Sequence, residues 1–115
     1  MGVQDMLSAL AEPTRLQIVE LLRAKPRAVG EIVERLGLRQ PQVSKHLRVL
    51  SEAGLVEVRP VAQQRIYSLR AAPFKELDAW LERYRRIAED RFDRLENILR
   101  EQKEKGDRRR GNKNE

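Results

Sequence analysis

Cysteine is absent from this 115-residue chain, and aromatic residues make up only 4% of it. Without cysteine the protein forms no disulfide, carries no thiolate nucleophile and offers a metal no cysteine ligand. With so few rings, the core has to be built from aliphatic side chains, which favours packing of helix on helix. No apolar run approaches the roughly 20 residues that cross a bilayer, and the first residues lack the basic and apolar regions of a signal peptide. We therefore expect a cytoplasmic protein with one modest core and no membrane partner.

Basic charge is concentrated in the middle of the chain. The formal net charge is +6 and the isoelectric point is near 10.2. Residues 39–70 carry six basic residues against two acidic ones, whereas residues 71–100 carry seven of each sign. This distribution points to nucleic acid or another anionic surface as the partner of the middle segment.

Apolar residues at helical spacing predict four helices in the first half of the chain. Pro13 suits the first turn of the second helix, and Gly37 and Gly54 are placed to end the third and fourth. The four predicted helices cover residues 3–11, 13–24, 28–36 and 40–53.

The second half of the chain changes period. Alternating residues predict strands at 55–58 and 65–69, joined by a polar turn around 61–64. Pro73 then opens a long helix with an apolar seam at heptad spacing. The residues of this seam are Phe74, Leu77, Leu81, Tyr84, Ala88, Leu95 and Ile98. Residues 101–115 contain no apolar side chain, so the sequence predicts a folded domain over 1–100 and a charged, disordered tail over 101–115.

Two helices joined by a short turn and followed by a hairpin predict a winged helix-turn-helix fold, mainly α with a β-hairpin wing and about five helices. Helix 40–53 fits a DNA major groove, and the hairpin lays basic groups along the neighbouring backbone. No acid occurs from Arg39 to Ser51, which favours DNA over an ordinary solvated helix face. The predicted DNA-binding residues are Arg39, Gln40, Gln42, Ser44, Lys45 and Arg48 on the helix, with Arg59 and Arg65 on the wing.

The stretches LAEPTRLQIVELL, QVSKHLRVLSEAGLVEVR and QRIYSL resemble successive signatures of the ArsR-type metalloregulator family. The resemblance extends from Met6 to about Leu99. It implies a bacterial, homodimeric repressor whose first and last helices pair across a two-fold axis, while each subunit offers helix 40–53 to half of an inverted repeat. The implied dimer contacts are Met6, Leu7, Leu10, Leu77, Trp80, Leu81, Tyr84, Ala88, Phe92 and Leu95.

The family's metal sites are not matched in this sequence. Residues 29–31 read Val-Gly-Glu where the family carries Cys-x-Cys, and the last helix has acidic residues but no histidine. Carboxylates alone suit Zn or Ni poorly, so we predict no metal and no other cofactor. The last helix instead resembles a metal-independent, autorepressor-like branch. An unidentified small ligand or a protein anti-repressor stays open as the releasing signal.

Several single residues have a structural and a functional interpretation. For His46, the only histidine, we expect a structural role, and we expect Tyr67 to pack within the hairpin. Trp80 and Tyr84 are more typical of a core or dimer seam than of a ligand pocket. Residues 108–110 either add non-specific attraction to DNA or form an inert tail. We find no phosphate loop and no nucleophile with a base, so we predict no catalytic residue and no enzyme; the alternative function is a protein-interaction module on the same fold.

Overall fold

The computed structural model describes the backbone of residues 2–113 and the side chains of residues 2–106. Its elements are α1 (Val3–Leu10), α2 (Pro13–Ala24), β1 (Arg27–Ala28), α3 (Val29–Leu36), α4 (Gln40–Glu52), β2 (Val56–Val61), β3 (Gln64–Leu69) and α5 (Ala71–Lys113). The chain divides into two units, the first ending at Asp78 and the second beginning at Ala79. Five described helices and a hairpin confirm the predicted winged helix-turn-helix class.

The core of the first unit is aliphatic, as the scarcity of aromatic residues predicted. The buried residues are Met6, Ala9, Ile18, Val19, Leu22, Ile32, Val43, Leu47, Leu50, Leu55 and Val56. Phe74 and Leu77, from the start of α5, pack against this core. Met6 is only 1% exposed, so in a single chain it lies in the core, and its predicted contact with a partner chain stays a prediction.

Side chains and glycines define the helix ends. Glu12 caps α2, because its Oε2 accepts a hydrogen bond from the Arg15 backbone N–H at 2.8 Å. Gly37 ends α3 with a left-handed φ of 65°, as predicted. Gly54 has a φ of 76° and donates to the Ser51 carbonyl, while Leu55 donates to the Leu50 carbonyl. These paired bonds form a Schellman motif that turns the chain from α4 into the hairpin.

The sheet has three antiparallel strands in the order β1-β3-β2. The sequence did not predict β1, in which Arg27 and Ala28 pair with Tyr67 and Ile66. Two residues are too short for a period to be visible. The strands of the hairpin are also longer at the turn than predicted, which leaves two residues, Ala62 and Gln63, between them.

Helix α5 begins two residues before Pro73, whose missing N–H costs nothing in a first turn. No described helix is long and apolar enough to span a membrane. Residues 101–113 are helical, which differs from the predicted disordered tail; Glu, Gln, Lys and Arg are good helix formers even without an apolar face. Residues 114–115 lie outside the described residues, and the division at residue 100 stays a prediction.

Candidate nucleic-acid interface

Helix α4 has one buried face and one polar face. Val43, Leu47 and Leu50 are each 0% exposed, and they attach the helix to the core. All of the helix residues predicted to bind DNA are exposed, and these are Arg39, Gln40, Gln42, Ser44, Lys45 and Arg48. The packing of α4 therefore presents polar and basic side chains to solvent along its whole length.

The beginning of α4 carries no acidic side chain in its first turn. The partial positive charge of the helix N-terminus is thus not neutralised locally, and such an end attracts phosphate groups. Gln42 has a second task there, since its Oε1 accepts a hydrogen bond from the Arg39 backbone N–H at 3.3 Å. From the sequence, Gln42 was predicted only to bind DNA, and its role in capping the helix was missed.

The two wing arginines lie on opposite faces of the hairpin. In the register of β2 and β3, Arg59 pairs with Ile66 and Pro60 pairs with Arg65. Because side chains alternate between the faces of a sheet, Arg65 shares a face with Pro60 while Arg59 occupies the other. Both arginines are exposed, but only Arg65 faces the same space as α4.

A groove of about 1120 Å³ lies between α4, the hairpin and the segment from Pro26 into α3. Four of the eight predicted DNA-binding residues line it: Gln40, Ser44, Arg48 and Arg65. Two amides at the tip of the wing, Gln63 and Gln64, also line it; they were predicted from the sequence to lie in a polar turn and were not among the predicted DNA-binding residues. Arg39, Gln42, Lys45 and Arg59 lie outside this groove. Carboxylates contribute to its wall as well, from Glu31, Glu34 and Glu52.

A buried arginine braces one wall of this groove. The Arg27 Nε donates to the Leu21 carbonyl at 2.9 Å, and its Nη1 donates to Glu31 Oε1 at 2.6 Å. Burial acts to raise the pKa of the Glu31 carboxyl, but the hydrogen bond and charge of Arg27, together with Arg35, outweigh burial and hold the pKa below its ordinary value. Arg27 thus joins the end of α2 to α3, a role that no pattern in the sequence indicated.

His46 connects α4 to the beginning of α2. Its side chain is 23% exposed, and its Nδ1 lies 3.6 Å from Glu12 Oε2. Within the described part of the chain this buried Nδ1 has no hydrogen-bond partner. The Arg15 backbone N–H lowers the pKa of Glu12; burial opposes this effect, and His46 adds to it. This position supports the structural role expected for His46.

The second unit carries an exposed apolar stripe on α5. Tyr84, Phe92 and Leu95, all predicted to contact a partner chain, are half to two-thirds exposed. The Trp80 and Tyr84 rings pack on each other with centroids 4.8 Å apart. A shallow groove of about 330 Å³ follows the stripe. The other predicted dimer residues, apart from Met6, range from partly to largely exposed: Leu7, Leu10, Leu77, Leu81 and Ala88.

Potential metal ligands are not clustered in the part of the chain that the structure describes. No group of three or more His, Cys, Asp or Glu side chains is arranged there to hold an ion.

Known transcriptional regulators resemble this chain. A family model described as a helix-turn-helix domain matches residues 10–59, from the end of α1 into β2. The HTH-type transcriptional regulator Rv2034 of Mycobacterium tuberculosis is 43% identical over 76 residues, which cover 66% of this chain and 71% of that protein. The HTH-type transcriptional repressor SmtB of the same species is 42% identical over 65 residues, covering 56% of this chain and 48% of the repressor.

A solved structure extends the similarity beyond the helix-turn-helix. The ArsR-like transcriptional regulator from Rhodococcus sp. RHA1 matches with a TM-score of 0.66 and 25% identity, covering 83% of this chain and 90% of that one. The fold, the exposed face of α4 and these similarities agree, and they show that the chain belongs to the ArsR-type family of helix-turn-helix transcriptional regulators.

Proposed function

We propose that this DNA-binding repressor acts as a homodimer on an inverted-repeat operator, with α4 as the recognition helix in the major groove. The observation that supports this most directly is the division of α4 into a fully buried apolar face and an exposed polar face without acid in its first turn. A helix of this kind fits the major groove, where base edges present distinct donors and acceptors.

In this proposal, different residues of α4 and of the wing contact different parts of the DNA. Gln40, Ser44 and Arg48 line the protein groove between α4 and the hairpin. They offer amide, hydroxyl and guanidinium groups to the base edges or to the sugar-phosphate backbone of DNA. Arg39 and Lys45 lie outside this protein groove and supply positive charge for contacts with neighbouring DNA phosphates or bases. Arg65 extends the basic surface onto the wing, which lies along the neighbouring backbone.

The dimer supplies the symmetry that an inverted repeat requires. Large apolar side chains of α5 are exposed in a single chain, and a stripe of this kind marks an interaction surface. We propose that the stripe, together with Leu7 and Leu10 of α1, packs against the same elements of a second copy. Two recognition helices in such a dimer stand about 34 Å apart, one turn of DNA.

Operator binding is proposed to be independent of metal and to take place in the cytoplasm. The chain has no cysteine and a single histidine, so it cannot build a site from several of the imidazole and thiolate ligands that Zn and similar ions prefer. We assign it no cofactor and no catalytic activity. An unidentified small ligand or a protein anti-repressor remains the candidate for the signal that releases it from DNA.

Fluorescence anisotropy tests this proposal. The purified protein is titrated onto DNA from the region upstream of its own gene and onto a scrambled duplex of equal length, with and without EDTA, at about 150 mM salt. We expect the upstream DNA to bind at least ~10³-fold more tightly than the scramble, with no effect of EDTA. Equal affinity for both would contradict specific DNA recognition and favour a protein-interaction module; loss of binding in EDTA would contradict metal independence.

A further inference from the structure

An ion pair lies on the groove-facing side of the recognition helix. Arg48 Nε and Glu52 Oε1 are 3.6 Å apart, and their side chains are 81% and 71% exposed, respectively. Glu52 is the only acidic residue in α4. Both side chains line the groove described above, so both are accessible to a DNA molecule that occupies it.

The contact engages the inner nitrogen of the guanidinium. Glu52 meets Arg48 through Nε, which leaves the two terminal Nη nitrogens for another partner. An arginine reads guanine by donating two N–H groups to O6 and N7. Arginine also loses rotamer freedom on binding, and a partner that holds the side chain beforehand reduces that loss.

A carboxylate at this position also affects which DNA is bound. Non-specific binding depends on the attraction between basic residues and phosphates. A negative charge beside Arg48 weakens its attraction to a phosphate, which carries a full charge, more than its attraction to the O6 and N7 acceptors of a base edge, which carry partial charges. The pair therefore favours base reading by Arg48 over phosphate binding.

We propose that Glu52 is a specificity-determining residue that acts by positioning Arg48 for a base contact. This inference rests on the proposed function, because it requires α4 to lie in the major groove. The inference adds an acidic residue to the DNA-binding surface, whose residues predicted from the sequence are all basic or neutral.

The test compares two variants that each remove one negative charge, Glu52→Gln and Glu57→Gln. Glu57 is exposed on β2 and lies outside the groove, so it is the matched control. Glu52→Gln should weaken binding to the operator about twofold and leave binding to the scramble unchanged or stronger, so that the specificity ratio falls. Glu57→Gln should strengthen both slightly and equally, so that the ratio stays at the wild-type value.

A double-mutant cycle shows whether Glu52 acts through Arg48. In an Arg48→Ala background, Glu52→Gln should no longer weaken operator binding. The inference is overturned if the loss persists in that background, or if Glu52→Gln leaves the specificity ratio unchanged as Glu57→Gln does. If the wild type discriminates while Glu52→Gln has no effect, only this inference fails; if the wild type binds both duplexes equally, the proposed function fails as well.

Discussion

Lys45 offers a clean test of the recognition surface at the scale of single residues. It is exposed on α4, between buried residues that hold the helix to the core. Lys45→Ala should weaken operator binding by about 1–3 kcal/mol if Lys45 contacts a base, and should weaken binding to all sequences alike if it contacts a phosphate. The thermal unfolding midpoint should stay unchanged because the side chain is not part of the core.

Lys75→Ala is the matched control for Lys45→Ala. Lys75 is likewise exposed, but it lies on α5 outside the proposed interface. Anisotropy titrations of both variants should show wild-type affinity for Lys75→Ala. An equal loss in the two variants would mean that total charge, and not the position of Lys45, determines binding. Gln42→Ala is less informative, because it also removes the hydrogen bond that caps α4.

Two carboxyl groups should make stability depend on pH in the acid range. The pKa values of Glu12 and Glu31 are below the ordinary value of 4.5. The unfolded chain therefore binds more protons than the folded chain in this range, so stability is present above the ordinary pKa and is lost as pH falls through the lowered values. Urea unfolding from about pH 6 to about pH 3 should show the free energy of unfolding decreasing.

Replacing one of these carboxyl groups shows how much of the stability lost at low pH depends on that group. Glu12→Gln should be less stable than the wild type at neutral pH and should lose less stability on acidification. Glu96→Gln, which alters an exposed residue of α5, should follow the wild-type curve. Parallel curves for the wild type and Glu12→Gln would rule out Glu12 as a source of the pH dependence.

The turn between the two strands of the wing contains a strained backbone conformation. Ala62 has a φ of 55°, in the left-handed region that a side chain with a Cβ disfavours. Ala62→Gly should therefore stabilise the protein by up to about 1 kcal/mol, because relief of strain exceeds the added freedom of the unfolded chain. Thermal or urea unfolding measures the change.

Ala11 provides the comparison for this substitution. It is exposed and its φ is −71°, which is ordinary for alanine, so Ala11→Gly should be neutral or destabilising. If Ala62→Gly destabilised the protein as much as Ala11→Gly, the turn would not be strained.

The elements differed in how well the sequence predicted them. Helices α1 to α4 were predicted to within a few residues, because their apolar residues repeat with the helical period and Gly37 ends one of them. Strand β1 was missed, since two residues carry no period. The exact wing turn was also not predicted, because Ala62 occupies a left-handed position at which glycine is the usual residue.

The α5 stripe determines the behaviour of the whole molecule if it forms the proposed dimer. Leu95→Lys introduces a charge at a seam position that is about half exposed in one chain. We expect this variant to be monomeric by analytical ultracentrifugation and to bind operator weakly, because a single recognition helix reads only one half-site.

Asn97→Lys adds the same charge two residues away and is the control. Asn97 is exposed on α5 and is not a residue of the heptad seam, so its variant should remain dimeric and bind operator. Dimers that persist in Leu95→Lys, with operator affinity intact, would place the dimer interface elsewhere.

Local spacing in the sequence was enough to predict the class of the fold and the polar face of α4. Periodicity is a local property, so the spacing of Val43, Leu47 and Leu50 already separated a buried face from an exposed one. The surface that each remaining side chain occupies could be read only from the folded chain. Met6 lies in the core, and Arg59 and Arg65 lie on opposite faces of the wing. These outcomes depend on strand register and on packing between segments distant in sequence, which no local spacing records.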